Sequence, residues 1–439
     1  MKLAVIGTGY VGLVSGTCFS ELGYDVTCVD LDAKKIETLR AGHVPIYEPG
    51  LDLLIECNVS SGRLSFTTDL QEAVSQADAV FIAVGTPTRP DNGQADLTYI
   101  MRAAADIAPA MQGYTVVVVK STVPVGVNRK ICDVLRNANP AADFDIASNP
   151  EFLREGTAIE DFMTPDRVVV GVESERAGGF MAEVYRPLTD RGFPLLLTDL
   201  ETAEMIKYAS NAFLATKITF INEIAALCEK VGSDVTMVSK GMGMDKRIGG
   251  RFLNPGPGYG GSCFPKDTQA LVRIGQESAV QQHIVEAVVR VNEQVKARMI
   301  ANIKALCGGS FRDKTIAVFG VTFKPDTDDM REAPSLTILP ALIGGGATIH
   351  VVDPLGQREG EHLLPGAHWY DDPYAAADGC DLVVILTEWS DFVSLDLKAL
   401  AAVMAVPRMA DLRNVYAPKD VENAGFEQYY GVGRGRAPV

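Results

Sequence analysis

The chain has 439 residues, 47% of them hydrophobic and 22% charged, enough to bury more than one core and to fold as two or three domains rather than remain disordered. A formal net charge of −16 excludes a surface built to grip nucleic acid, whose phosphates require clustered lysine and arginine. No apolar run approaches the roughly 20 residues of a membrane helix; eight scattered cysteines without a C-x-x-C pair and five histidines in no ligand spacing exclude a disulfide scaffold and a zinc site, which fits a reducing cytoplasm and no metal.

In chain order, Leu3-Ala-Val-Ile-Gly7 is an apolar run ending in a glycine turn, read as a buried strand; it lacks the small-residue cleavage pattern of a secretion leader. Gly7-Thr-Gly9-Tyr-Val-Gly12 follows, ahead of a helical pattern, and Asp30 ends the next strand, Val26 to Val29. In this setting each glycine of G-x-G-x-x-G has a task. Gly7 allows the tight turn, Gly9 lets backbone approach a pyrophosphate, and Gly12 allows close packing of helix on strand. Asp30 then accepts hydrogen bonds from an adenosine ribose, which favours NAD because the carboxylate repels a 2′-phosphate. Further buried strands lie within Asp78 to Pro87 and Thr115 to Lys120, and their ends, Gly85-Thr86-Pro87 and Ser121-Thr122, fall on the rim of such a cleft. Strands alternating with helices predict a parallel sheet covered on both faces.

Thr198-Asp-Leu-Glu201 matches a T-x-x-E capping box, and the Pro-free stretch from there to Val231 predicts one helix of roughly 45–50 Å, able to bridge domains or support a dimer. Lys207 and Asn211 are i, i+4 partners on it, in apolar surroundings where a Lys and an Asn need partners, a ligand or solvent. The loop from Pro255 to Asp267 carries Gly256, Gly258, Gly260 and Gly261, then Cys263, then Pro265 where a helix begins. Cys263 therefore falls at a helix N-terminus, where the dipole favours a thiolate, and Asp267 shares its face. The other seven cysteines, at 18, 28, 57, 132, 228, 307 and 380, are read as structural.

Near the C-terminus the strand grammar returns in Thr315 to Gly320, Thr348 to Asp353 and Asp381 to Thr387. Two doubly wound α/β domains joined by a long central helix are predicted. The second copy keeps Gly320 alone of the fingerprint glycines, with Phe323 and Lys324 close behind, so it is expected to bind something other than the dinucleotide. Gly431 to Val439 reads as a loose tail with two solvated arginines.

These motifs, taken in order, resemble the UDP-glucose/GDP-mannose dehydrogenase family along nearly the whole chain: the N-terminal fingerprint, Pro45-Ile-Tyr-Glu-Pro-Gly-Leu51, Val84-Gly-Thr-Pro87, Lys120-Ser-Thr-Val-Pro-Val-Gly126, Asn149-Pro-Glu-Phe-Leu-Arg-Glu-Gly156, Gly260-Gly-Ser-Cys-Phe-Pro-Lys-Asp267 and Phe323-Lys-Pro-Asp-Thr-Asp-Asp328. The resemblance implies an NAD domain over 1–198, a central helical and dimerisation region over 199–310 and a domain for the UDP-sugar over 311–439. It implies Cys263 as nucleophile, with Lys207, Asn211 and Asp267 around the reacting carbon and Thr122 and Glu151 handling water and protons. Around NAD it implies Gly7, Gly9, Tyr10, Val11, Gly12, Asp30, Lys35, Gly85, Thr86, Thr122, Glu155, Lys266 and Arg331. Around the nucleotide-sugar it implies Glu151, Phe152, Leu153, Lys207, Asn211, Phe252, Tyr259, Gly260, Phe323, Lys324 and Arg413. Arg247 would reach the substrate of a neighbouring subunit, which implies a homodimer or larger assembly.

The implied reaction is oxidation of a primary alcohol to a carboxylate, UDP-glucose to UDP-glucuronate, with GDP-mannose as the alternative substrate. An aldehyde intermediate has no proton-bearing oxygen from which a second hydride can be expelled. A thiolate at Cys263 solves this by forming a thiohemiacetal, then a thioester that water cleaves. Lys207 and Asn211 suit the oxyanions, and Asp267 is the candidate base or water activator, jointly with Thr122 and Glu151. A two-electron hydroxyacid dehydrogenase would share the first domain and a long helix but has no use for Cys263. A silent NAD-binding regulator would not need Cys263, Lys207 and Asp267 together.

Overall fold

The computed structural model describes residues 1–87, 89 and 95–435. It divides into two compact units, Met1–Ser210 and Asn211–Val439.

The first unit is built on eight strands: β1 (Lys2–Ile6), β2 (Asp25–Val29), β3 (Leu64–Thr67), β4 (Ala79–Ile82), β5 (Tyr114–Val119), β6 (Asp143–Ser148), β7 (Val168–Val172) and β8 (Leu195–Thr198). Their order is β3-β2-β1-β4-β5-β6-β7-β8. Pairing is parallel from β3 to β6; β7 then reverses against β6 and pairs in parallel with β8. Strands β4 and β5 show no polar alternation because helices cover both of their faces, and Ala79–Ile82 and Thr115–Val119 are wholly buried. The order in which strands are added reverses between β1 and β4, so the loops after them open a crevice at the carboxyl ends of the strands. Gly7, Gly85, Thr86, Ser121, Thr122 and Glu151 all follow strand ends there.

The long helix, Leu200–Val231, has 32 residues and runs from the first unit into the second. Its N-terminus differs from the expected capping box by one residue. The carboxylate of Asp199 accepts from Thr202 N at 2.7 Å, while Glu201 bonds Arg129 instead of reaching back. Asp takes the cap one position later than Thr198 because a carboxylate is at least as good an acceptor there and also answers the helix dipole.

In the second unit the helices Val235–Gly243, Phe264–Glu277 and His283–Leu306 precede six strands: β9 (Thr315–Phe319), β10 (Thr348–Val352), β11 (Ala367–Trp369), β12 (Leu382–Ile385), β13 (Arg408–Asp411) and β14 (Gln428–Gly431). All pair in parallel, in the order β11-β10-β9-β12-β13-β14, which repeats the arrangement of the first six strands of the chain. The expected loose tail is corrected over its first half. Gly431 closes β14, Gly433 N donates to the buried Glu229 carboxylate at 3.0 Å, and Arg434 Nε donates to Thr236 Oγ1 at 3.0 Å. A run of glycines does not make a tail loose when a buried acceptor waits for its N–H groups. Arg436 and the rest of the tail lie outside the described residues. No helix among the described residues is long and apolar enough to cross a membrane.

Candidate functional site

The glycine fingerprint forms the cradle its spacing predicts. Gly7 has a φ of +102°, and a Cβ there would lie 2.7 Å from the Ala83 carbonyl oxygen; a Cβ on Gly12 would meet the Gly7 carbonyl oxygen at 1.9 Å. Gly9 faces open space, and Tyr10 and Val11 begin the helix Tyr10–Glu21. Asp30 Oδ2 accepts from Thr8 N at 2.9 Å and Thr8 Oγ1 at 2.7 Å, and Lys35 Nζ stands 3.4 Å away. Burial pushes the Asp30 carboxyl up, but the Thr8 and Asp32 donors and Lys35 outweigh it and hold it below the usual carboxylate range. A charged acceptor beside an open glycine turn is what a dinucleotide ribose and pyrophosphate require. On the rim, Gly85 is exposed, and Thr86 Oγ1 donates to the Thr122 carbonyl at 2.9 Å, tying the two strand-end loops together.

Beyond β6, Glu151 and Lys207 form a buried ion pair, Nζ to Oε1 at 3.0 Å. The ammonium also stands 5.3 Å from the centre of the Phe152 ring. The other carboxylate oxygen of Glu151 accepts from Leu153 N at 2.5 Å, so the loop that presents Phe152 and Leu153 is organised by the same side chain. Lys207 is thus partnered inside the protein, the first of the outcomes its sequence setting left open. Sequence reading assigned no role to Lys120 or Asn149. Lys120 is buried, donating to Asn149 Oδ1 at 3.1 Å, while Asn149 Nδ2 holds the Val169 carbonyl at 2.9 Å. Burial pushes the Lys120 ammonium down to about 8, opposed by the charge of Glu151. Lys120, Asn149, Glu151, Phe152, Phe162 and Arg167 line one pocket of the first unit. One turn before Lys207, Glu204 accepts from Gly126 N at 2.6 Å and Asn128 N at 2.9 Å, and so caps the helix after the Thr122 loop.

In the second unit Asp267 is wholly buried and held from two sides. Asn211 Nδ2 donates to Oδ2 at 2.6 Å and Lys266 Nζ to Oδ1 at 2.8 Å. Cys263 is the N-cap of the helix Phe264–Glu277, with Pro265 in its first turn, and its carbonyl accepts from Asp267 N at 2.8 Å. Its thiol lies 3.6 Å from Ser262 Oγ and is half-buried. Most other cysteines are shut away: burial pushes Cys28 and Cys380 up to about 12 and Cys307 to about 11. Cys57 is exposed but sits within a helix, Leu51–Ser60, not at its N-terminus. The glycines before Cys263 are needed because another segment lies on them. A Cβ at Gly260 would come within 2.4 Å of the Glu332 carbonyl oxygen, and Gly261 N donates to the Arg331 carbonyl at 2.8 Å.

The remaining expected sugar-nucleotide contacts of this unit are arranged around the same loop. Phe252 adopts a φ of +64°, with its ring 6.0 Å from that of Phe264, which is 6.1 Å from the ring of Tyr259. Tyr259 is buried, and Asn292 clasps its backbone on both sides, accepting from N at 2.9 Å and donating to the carbonyl at 3.1 Å. Phe323 packs on Gly261, and Lys324 Nζ lies 5.5 Å from the centre of its ring. Arg413 donates to the carbonyls of Leu386 at 2.9 Å and Phe323 at 3.1 Å and pairs with Glu388. Arg331 pairs with Asp329, and Arg247 pairs with Asp245 while most of its side chain is exposed. Asp353 repeats the position of Asp30 after the second strand of its sheet, yet accepts from the backbone N–H groups of Val321, Thr322, Leu355 and Gly356. Its two oxygens are thus engaged by the turns that follow β9 and β10.

Three family descriptions match the chain in order: the NAD binding domain of the UDP-glucose/GDP-mannose dehydrogenase family over residues 1–189, its central domain over 201–294 and its UDP binding domain over 317–418. A UDP-glucose 6-dehydrogenase of Rhizobium meliloti is 53% identical, covering 99% of this chain and 100% of its own, and the YwqF UDP-glucose 6-dehydrogenase of Bacillus subtilis is 48% identical, covering 99% and 98%. Among solved structures, a UDP-glucose dehydrogenase of Pyrobaculum islandicum matches with a TM-score of 0.91 at 39% identity, covering 98% of this chain and 97% of its own. A GDP-mannose dehydrogenase of Pseudomonas aeruginosa matches with a TM-score of 0.55 at 31% identity, covering 98% and 100%.

Proposed function

The chain belongs to the UDP-glucose/GDP-mannose dehydrogenase family, and from that premise we propose that it oxidises UDP-glucose to UDP-glucuronate through covalent intermediates on Cys263. The observation that carries the covalent reading is the placement of Cys263: a half-buried thiol at a helix N-terminus, one turn before a buried carboxylate that Asn211 and Lys266 hold.

The overall change is R–CH2OH + 2 NAD+ + H2O → R–COO− + 2 NADH + 3 H+. Bound NAD supplies the hydride acceptor in each half, and Gly7, Gly9, Gly12, Asp30 and Lys35 fit its pyrophosphate and adenosine ribose. The first half takes a proton and a hydride from the alcohol and leaves an aldehyde. The Cys263 thiolate then adds to the carbonyl carbon, forming a C–S bond and an oxyanion that expels the second hydride to give a thioester. Water attacks the thioester, the C–S bond breaks, and thiolate and carboxylate separate. Lys207 and Asn211, whose side chains offer N–H groups to an anion in this role, are the proposed donors to the oxyanion. One such donor contributes about 3 kcal/mol to the transition state. Asp267 is the proposed base for water, with Thr122 and Glu151 contributing to proton and water handling. Phe152, Leu153, Phe252, Gly260, Phe323, Lys324 and Arg413 are the proposed sugar-nucleotide contacts.

UDP-glucose is favoured over GDP-mannose by the relatives: the 53% and 48% identities belong to UDP-glucose enzymes, against 31% for the GDP-mannose one. The test is to supply NAD with either sugar nucleotide and count NADH per sugar consumed. Two equivalents from UDP-glucose and none from GDP-mannose are expected. One equivalent would overturn the four-electron reading, and turnover of GDP-mannose alone would overturn the substrate.

We also propose a homodimer or larger assembly. Phe213, Phe220 and Leu227, all more than 40% exposed, recur every seven residues on the long helix, a stripe that a second copy would cover. Replacing Phe220 by Glu should lower the mass seen by sedimentation; an unchanged mass would reject this face. Eight thiols free of disulfides suit a reducing cytoplasm.

A further inference from the structure

Glu48 belongs to the loop ahead of the helix Leu51–Ser60, and it is buried. No catalytic or binding role falls to it in the reading above, yet its carboxylate is a junction. Oε1 accepts from Ala158 N at 2.7 Å and Ile159 N at 3.4 Å; Oε2 accepts from Gly156 N at 2.7 Å and from the Tyr10 hydroxyl. Gly156 N also approaches the Tyr10 hydroxyl at 3.0 Å. Burying a carboxylate is costly unless its lone pairs are matched, and here they are matched by groups from two places. Tyr10 is the first residue of the helix behind the glycine fingerprint. Gly156 ends the loop that starts at Glu151 and carries Phe152, Leu153 and Glu155, and Ala158 and Ile159 open the helix Ala158–Met163 that follows it.

That loop has few other ways to be set. At its start Glu151 is pinned by Lys207, and in its middle Arg154 is pinned to Asp161 by its N–H and its guanidinium. At its end Gly156 has a φ of +80°, a left-handed turn whose N–H points at Glu48. Burial and Glu48 push the Tyr10 phenol far above its ordinary value, so it remains a donor throughout the working range. Hydrogen bonds tie the loop's end to the fingerprint helix through this carboxylate and this phenol.

We propose that Glu48 is a positioning residue that locks the sugar-contacting loop 151–156 to the start of the dinucleotide helix, so that filling the cofactor cradle tightens the binding of the sugar nucleotide. The inference rests on the functional reading above. Cofactor that settles against the fingerprint turn fixes Tyr10, Tyr10 fixes Glu48, and Glu48 fixes the N–H groups at the loop's end. Glutamine at 48 keeps the volume but replaces one acceptor oxygen by an NH2, which faces either Gly156 N or Ala158 N donor to donor and opens one arm of the junction.

The measurement is calorimetric binding of UDP-glucose to the full chain, alone and saturated with NADH, a pair of ligands that cannot turn over. For the unmodified protein NADH should lower the UDP-glucose Kd about fivefold or more. In Glu48→Gln the ratio of the two Kd values should fall to near one. Loss of general stability would move both Kd values together and leave the ratio intact, so an unchanged ratio in a folded Glu48→Gln overturns the inference. If that variant does not fold, Tyr10→Phe decides, since it removes the phenol hydroxyl and leaves the Glu48 carboxylate in place to accept from Gly156 N and Ala158 N; it too should bring the ratio towards one, and an unchanged ratio there overturns the inference. A ratio of one in the unmodified protein, with both ligands bound, overturns it as well while leaving the functional reading standing. Absence of any UDP-glucose binding overturns both.

Discussion

Lys207 Nζ stands 3.0 Å from Glu151 Oε1, and the two side chains are only 4% and 6% exposed. Neither charge is solvated, so each depends on the other. Lys207→Met should cost about 3–5 kcal/mol of unfolding free energy, because it leaves a buried carboxylate without this cation. The double variant with Glu151→Gln should recover most of that loss in chemical denaturation, yet remain inactive. Equal stabilities for the single and double variants would mean that the pair contributes nothing to the fold.

Asn211 and Asp267 offer a sharper test, because a single atom change turns donor into acceptor. Asn211→Asp sets a second carboxylate within 2.6 Å of the first. Two like charges at that distance cannot both ionise, so the pair must share a proton. At pH 7 kcat should fall by about a hundredfold or more. Lowering the pH should return part of the loss, since a second proton taken up by the pair restores a donor beyond the one shared between the two groups. A kcat–pH profile parallel to that of the unmodified protein would show that the amide N–H does not matter to turnover.

Asp30 is the proposed determinant of cofactor choice. Its carboxylate is held charged by Thr8 and Lys35. Asp30→Ala should raise the KM for NAD about tenfold and make NADP a measurable substrate, as the repulsion of the 2′-phosphate disappears. Steady-state kinetics with both cofactors decides it; unchanged discrimination would place the ribose contact elsewhere.

Most of the architecture was legible because parallel strands buried on both faces announce themselves as apolar runs, and glycine turns mark their ends. The fingerprint was readable for the same reason: Gly7 and Gly12 are required by backbone atoms that a side chain would strike. The cap at Asp199 was misread by one residue, since Thr198 and Asp199 are both good caps and spacing alone does not rank them. The tail was misread because the acceptor that orders it, Glu229, lies some two hundred residues away in sequence. Distance in sequence also hid Lys120, Asn149 and Glu48. Each takes its meaning from partners on other elements, which no local pattern in the chain reports.

Cys263→Ser separates the two halves of the proposed reaction. A serine hydroxyl at the same N-cap is a far weaker nucleophile than a thiolate at neutral pH. The variant should bind UDP-glucose and NAD but form no more than one NADH per sugar, with aldehyde trapped by a hydrazine reagent. Two NADH per sugar from this variant would remove the covalent intermediate from the mechanism.

Lys120 gives the pH dependence. Burial lowers its ammonium from an ordinary 10.5 to about 8. Below pH 8 folded and unfolded chains both carry the proton, and the fold bears the cost of a buried charge. Between pH 8 and 10.5 the unfolded chain keeps the proton while the folded one releases it, so the unfolded state binds more protons and stability rises with pH across that window. The cost relieved is at most about 3 kcal/mol. Lys120→Met never carries the charge, so its stability relative to the unmodified protein should be highest at pH 7 and fall steadily towards pH 10. Comparing the two proteins cancels every other titrating group. Parallel stability curves from pH 7 to 10 would mean that Lys120 keeps its ordinary protonation inside the fold.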